Sequence, residues 1–209
     1  MGLGNGNPTY GDKGSNFDYE LRVLTGLESI AQALESTPAP NFGLYAQTVS
    51  STPITNTIFE SDLISTGVGS LTVPANGFQV GDSFHAKLIG HLSCNNGVTL
   101  RFRIKAGVNI LADTGPITMS GATNEHWELN VYFTVRTLGG PGVAAIASGG
   151  IFSYTKDAST SFEGTNFSII NNTSFNTTID NTLKITAQWG AASVSDSIYS
   201  EIFMLNKTY

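Results

Sequence analysis

Three histidines, sixteen carboxylates and one thiol are the groups in this chain that could hold a metal or move a proton. His85 and His91 lie six residues apart in an alternating segment, so they share one face of a strand, about 20 Å apart at ~3.3 Å per residue. One ion cannot bridge that span within a chain. A three-fold axis gathering one histidine from each of three copies is the remaining metal geometry. His126 precedes a strand and has no His or Cys near it in sequence. Paired acids occur at Glu60 and Asp62 and at Glu125 and Glu128, but glycosidase-type chemistry needs two carboxylates about 5–10 Å apart across a cleft with one pKa raised. Nothing in the pattern marks either pair for that role, and both read as surface or turn charge. The chain has no Gly-x-Ser-x-Gly elbow and no Gly-x-x-x-x-Gly-Lys phosphate loop. The expectation is a protein that is not an enzyme and uses no cofactor or metal, with no catalytic residue to name and a ligand site unknown.

Two further features could carry chemistry. Cys94 is the single cysteine; it excludes an intramolecular disulfide and reads as a reduced thiol in a strand or turn. Arg101, Arg103 and Lys105 form a positive row on one strand face. Its plain reading is a solvated outer face that discourages edge-to-edge pairing. A salt-bridge stripe between subunits or a contact to an anionic glycan are the alternatives. Nucleic acid is a poor partner, because no aromatic set interleaves these charges and the net charge is −6.

The elements that would position these groups are strands. Only 12% of the residues are charged, about half the usual share, and the β-branched and aromatic content suits a pleated, half-buried surface. Period-two alternation sets Phe84, Ala86, Leu88, Gly90 and Leu92 against His85, Lys87, Ile89 and His91. It sets Leu100, Phe102, Ile104 and Ala106 against the basic row. Trp127, Leu129, Val131, Phe133 and Val135 form a third inner set, and Leu183, Ile185, Ala187 and Trp189 a fourth. Asn95-Asn96-Gly97, Gly139-Gly140-Pro141 and Asn171-Asn172 read as turns. One-sided strands of this kind belong to antiparallel sheets with one buried face. In Ser197 to Leu205, Ile198, Ile202 and Met204 alternate with Tyr199, Phe203 and Leu205. Both faces are apolar, which predicts a central strand covered on its outside by a neighbouring subunit.

Helical spacing occurs once. Phe17, Leu21, Leu24, Leu27, Ala31 and Leu34 fall on one stripe, Ser15 or Asn16 can cap its start, and Pro38 and Pro40 end it. Such a helix is marginal alone; it either docks on its own β domain or pairs with copies of itself. The expected fold is all-β, an antiparallel two-sheet jelly-roll sandwich preceded by one short N-terminal helix. Residues 1–16 form a Gly/Asn-rich arm, 17–36 an amphipathic helix serving as a trimeric stalk, 37–41 a Pro-rich linker and 42–209 the head. No run of 18 apolar residues exists to cross a membrane as a helix.

Two segments resemble a known class. Gly4-Asn5-Gly6-Asn7-Pro8-Thr9-Tyr10-Gly11-Asp12-Lys13-Gly14-Ser15-Asn16-Phe17-Asp18-Tyr19-Glu20 looks like the N-termini of tailed-bacteriophage virion proteins. Leu71-Thr72-Val73-Pro74-Ala75-Asn76-Gly77-Phe78-Gln79-Val80-Gly81-Asp82-Ser83-Phe84 is similar to a stretch in phage fibre and head-decoration jelly rolls, whose shape resembles the C1q and tumour-necrosis-factor fold. The resemblance implies a homotrimer located in the virion. Its arm, through Leu3, Pro8 and Tyr10, would anchor it to capsid, collar or tail proteins. The head would be exposed, with host-surface glycan as a further partner. A trimeric lectin-like glycan-binding module is the competing expectation, and a polysaccharide-cleaving enzyme a third.

Overall fold

The protein is represented by a computed structural model that describes residues 43–157, 159–172 and 174–209. Chain contacts divide the protein into two units at Asn41 and Phe42, and only the second is described. The arm, the helix with its stripe Phe17, Leu21, Leu24, Leu27, Ala31 and Leu34, and the anchoring residues Leu3, Pro8 and Tyr10 lie outside the described residues.

The described unit is a β-sandwich of two antiparallel sheets. Its strands in chain order are β1 (Gly43–Gln47), β2 (Ile54–Thr55), β3 (Ser61–Asp62), β4 (Gly67–Gly69), β5 (Thr72–Val73), β6 (Ser83–Cys94) and β7 (Thr99–Ala106). They continue as β8 (Asn109–Asp113), β9 (Ile117–Thr118), β10 (Ala122–Thr137), β11 (Ala145–Lys156), β12 (Ser159–Asn172), β13 (Asn181–Trp189) and β14 (Ser197–Lys207). An eight-stranded sheet runs β12-β11-β10-β6-β14-β1-β4, with β2 on β14; a six-stranded sheet runs β3-β13-β7-β8, with β5 on β13 and β9 on β7. The chain crosses from β6 to the β7–β8 pair, returns to β10, and crosses again through β13 to β14. This alternation between sheets is jelly-roll connectivity. It places β6 and β14, far apart in sequence, side by side in the middle of the larger sheet.

Alternation explains which side of each strand is buried. β6 reads half-buried and buried in strict turn over its 12 residues, and β7 does the same over 8. Their inner residues pack with those of β10, β11 and β13 around Trp127, Phe102, Phe152 and Tyr154, all nearly inaccessible. Phe102 and Phe152 lie 4.6 Å apart between ring centroids, and each tilts against Trp127 at 6.0 and 6.3 Å. The two indoles keep their polar edges satisfied. Trp189 donates to the Ile54 carbonyl at 3.0 Å, and Trp127 to the carbonyls of His91 and Tyr199, both at 3.1 Å. A buried N–H without such a partner would cost about 1–3 kcal/mol.

Two sequence expectations are corrected. The even alternation expected along Ser197–Leu205 is broken by a bulge between Ser200 and Ile202. The extra residue, Glu201, moves every later side chain to the opposite face. Ile198 is therefore inside with Phe203 and Leu205, while Ile202 and Met204 face out with Tyr199. Asn171 and Asn172 are the last residues of β12 and do not form a turn. The long hairpin of β11 and β12 had no clear signal, because Gly149, Gly150 and Gly164 interrupt its apolar pattern.

Candidate functional site

The outer face of the six-stranded sheet carries the basic row, and the structure revises its reading. Glu60 Oε2 accepts from Arg103 Nη1 at 2.9 Å, while Oε1 accepts from Lys105 and from the Thr186 hydroxyl. Arg103 also donates to Gln188 Oε1 at 2.8 Å. Asp113 takes both Arg101 donors, the Nε bond being 2.8 Å, and the backbone N–H of Gly115 at 2.8 Å. Burial pulls the Glu60 carboxyl upward, but bonds from Lys105 and Thr186 and the charges of Lys105 and Arg103 outweigh it and hold it below its ordinary value. Asp113 follows the same pattern, with Arg101, Gly115 and Arg103 overcoming burial. The row is thus bound by two carboxylates of its own chain, which offset two of its three positive charges. Each of its cations has a carboxylate partner within the chain. Glu60 is no loose turn charge.

The outer face of the eight-stranded sheet differs. Strand register fixes it as successive cross-strand rows. One row runs Val68, Ala46, Met204, Lys87, Asn130, Ile151 from β4 to β11. The next on one side runs Ile202, Ile89, Glu128, Ser153, and beyond it lie Tyr199, His91 and His126. On the other side Asn206, His85 and Tyr132 stand in line. Val68, Tyr132, Ile151, Ile202 and Met204 are exposed at 63, 55, 47, 44 and 38%. The Lys87–Glu128 ion pair, 3.0 Å long, crosses the middle of this surface. The bond from Asn130, then burial opposing it, then Lys87 set the Glu128 carboxyl below its usual value. Neutral, aromatic and aliphatic groups otherwise dominate the centre.

All three histidines lie on this face. His85 Nε2 is 3.0 Å from Asn130 Oδ1, and its ring stacks on Tyr132. His91 and His126, remote in sequence, are cross-strand neighbours with ring centroids 6.2 Å apart, and His91 Nδ1 is 3.5 Å from Glu201 Oε2. Alternation within β6 and β10 could have predicted the shared face, but not the register that brings the rings together. Among the described residues no group of three His, Cys, Asp or Glu side chains is arranged to hold a metal ion.

The remaining reactive groups hold structure together. Cys94 is buried and its thiol donates to the Ser120 carbonyl at 3.3 Å; burial, then the Asp196 charge, push it up to about 11. Tyr154 donates to Glu163 at 2.7 Å and receives the Ser120 N–H, and burial pushes the phenol up to about 12. Asp82 accepts from Gln79 N at 2.9 Å and pairs with Lys207 at 2.7 Å. Asp196 accepts from the backbone and side chain of Asn95. Glu125 and Glu128 do not form a facing pair, since Glu128 is bound to Lys87 and Asn130. Comparison of the chain with protein-family models, with characterised proteins and with solved structures gives no match.

Proposed function

We propose that this chain is a non-catalytic structural subunit of a tailed-bacteriophage particle. It would be a homotrimeric fibre or head-decoration protein whose β-sandwich is the exposed head and whose residues 1–16 anchor it. The observation that carries the reading is the contrast between the two outer faces. One holds its cations on Glu60 and Asp113; the other presents Val68, Met204, Ile202, Ile89, Tyr132 and Ile151 around a polar middle of Lys87, Glu128 and Asn130. Exposed apolar groups gathered on one face of a folded domain, here around that polar middle, are candidates for an interaction site, because leaving apolar surface in water forgoes about 25 cal/mol per Å². Further copies of the chain are the occupant favoured here; around a three-fold axis, part of this face on one copy would meet a different part of the surface of the next. The three-fold order and the virion setting rest on the resemblance of residues 4–20 and 71–84 to phage proteins.

The test is the mass of the full chain in solution. Sedimentation should give three times the 22.1 kDa protomer. Ile202→Glu should reduce it to one, while Lys184→Glu on the opposite sheet leaves it unchanged. A wild-type monomer at tens of micromolar would overturn the assembly, and a dimer would overturn its three-fold order.

A further inference from the structure

The large sheet ends on β12, and among the described residues no strand pairs with its far side. The other sheet edges are short: β4 has 3 residues, β3 has 2 and β8 has 5. β12 has 14. From Phe162 to Ile169 it pairs with β11 without interruption, and a register shift bounds that stretch at each end. Along residues 162–169, backbone N–H and C=O groups point alternately towards β11 and away from the sheet. Such an outward row is a template for another extended chain.

This stretch lacks the usual guards of an edge strand. It contains no Lys, Arg or Pro, and its one charge, Glu163, accepts from the Tyr154 hydroxyl at 2.7 Å. Phe162, Gly164, Asn166 and Ser168 are exposed, Phe162 at 71%. Gly164 has no room for a side chain, because a Cβ there would stand 2.1 Å from the Phe152 carbonyl oxygen. The result is a hollow bordered by Phe162, Ile151, Ser153 and Asn166. A cross-strand aromatic ring is the group that covers an edge glycine of this kind. The register shifts at both ends sharpen the twist of the edge. That hinders a second folded sheet from aligning along it, whereas a peptide with free ends follows the twist.

We propose that β12 is a strand-addition site: an extended, uncharged segment of a partner protein pairs with residues 162–169 as a further strand and lays an aromatic side chain over Gly164 beside Phe162. Main-chain bonds supply the affinity and the hollow supplies the side-chain preference. The pairing groups lie at the sheet edge, so the site does not depend on the assembly proposed through the outer face.

The probe is a short capped peptide in which Thr alternates with Val, a central Trp replaces one Val, and a Lys at each end keeps it soluble. It is titrated into the full-length protein and followed by fluorescence anisotropy and amide hydrogen exchange. It should bind saturably and slow exchange in residues 162–169. N-methylation of one alternate set of its amides should weaken binding about tenfold or more, because those donors face β12, while methylation of the other set has little effect. Exchanging the peptide's Trp for Ala should weaken binding about fivefold to the wild-type protein and less than about twofold to Phe162→Ala. Absence of saturable binding, equal losses from the two N-methylated peptides, or protection confined to other strands would overturn the proposal. So would concentration-dependent protection of residues 162–169 in the protein alone, which would mark the edge as a contact between copies.

Discussion

His85 and Tyr132 stack across the β6–β10 pair with ring centroids 4.6 Å apart and planes 4° from parallel. The stack pins a tyrosine that is 55% exposed, so little side-chain entropy remains to be lost when another surface covers it. Pre-ordered aromatics of this kind dominate interface energetics. Under the proposed assembly through this face, Tyr132→Ala is expected to weaken self-association about tenfold or more. The unfolding free energy of the dissociated head should change by less than about 1 kcal/mol, since the phenol covers no core residue. Sedimentation of a dilution series and urea unfolding separate the two effects.

Gly90 illustrates a different constraint. It sits inside β6 opposite Trp127 and Ser200. A Cβ added there would stand 2.0 Å from the Tyr199 carbonyl and 2.8 Å from Ser200 Cα. Both are backbone atoms at the β14 bulge, and the same Tyr199 carbonyl accepts from Trp127. Gly90→Ala should therefore cost about 2–3 kcal/mol by urea denaturation, through overpacking that strand separation alone relieves. A loss below 1 kcal/mol would mean that the bulge yields.

The buried half of the sandwich was legible because each long strand pays out its core residues at period two. The inner faces of β6, β7 and β10 match the sequence pattern residue by residue, while on β13 Leu183 is half-buried and the outward Thr186 is covered. Parity across the Glu201 bulge was not legible, since one unpaired residue reverses the face of Ile202 and Met204 without altering composition. The candidate surface was legible only in part. Apolar outward residues on β14 were visible, but joining them to Ile89, Tyr132 and Ile151 needs the register of strands distant in sequence. Likewise, pairing Glu60 with Arg103 and Lys105 depends on a contact across 43 residues. The sequence pattern showed three cations in a row without the two acids that bind them.

Cys94 should behave as an inert thiol. Burial holds its folded pKa at about 11 against an ordinary 9.0, so thiolate, the reactive form, is scarce at pH 8. A disulfide reagent at pH 8 should leave the native protein unmodified and label one thiol per chain after denaturation. The linkage has a definite sign. The folded pKa is raised, so this contribution is complete below pH 9 and is lost as pH rises towards 11, where the unfolded chain ionises first. Rapid native-state labelling would show that the strand end opens readily.

Glu60 gives the opposite pH dependence. Its folded carboxyl lies below the ordinary 4.5, held there by Lys105, Thr186 and Arg103 against the pull of burial. A depressed acid stabilises the fold above its unfolded pKa, and the contribution disappears as pH falls through the folded value. The side chain is 24% exposed, so solvent screens the pair and the gain is modest. Glu60→Gln keeps the shape and one acceptor but removes the charge facing two cations. It should cost about 1–2 kcal/mol at pH 7. The difference should shrink as pH falls through the depressed folded value, because wild-type Glu60 then becomes neutral and nearly isosteric with Gln. Asp113 retains its own acid-linked loss in both proteins, so neither curve becomes flat. Urea unfolding of the two proteins at pH 7, 5 and 3 measures this convergence. A gap at pH 3 as wide as at pH 7 would mean that packing, not charge, links Glu60 to the sheet.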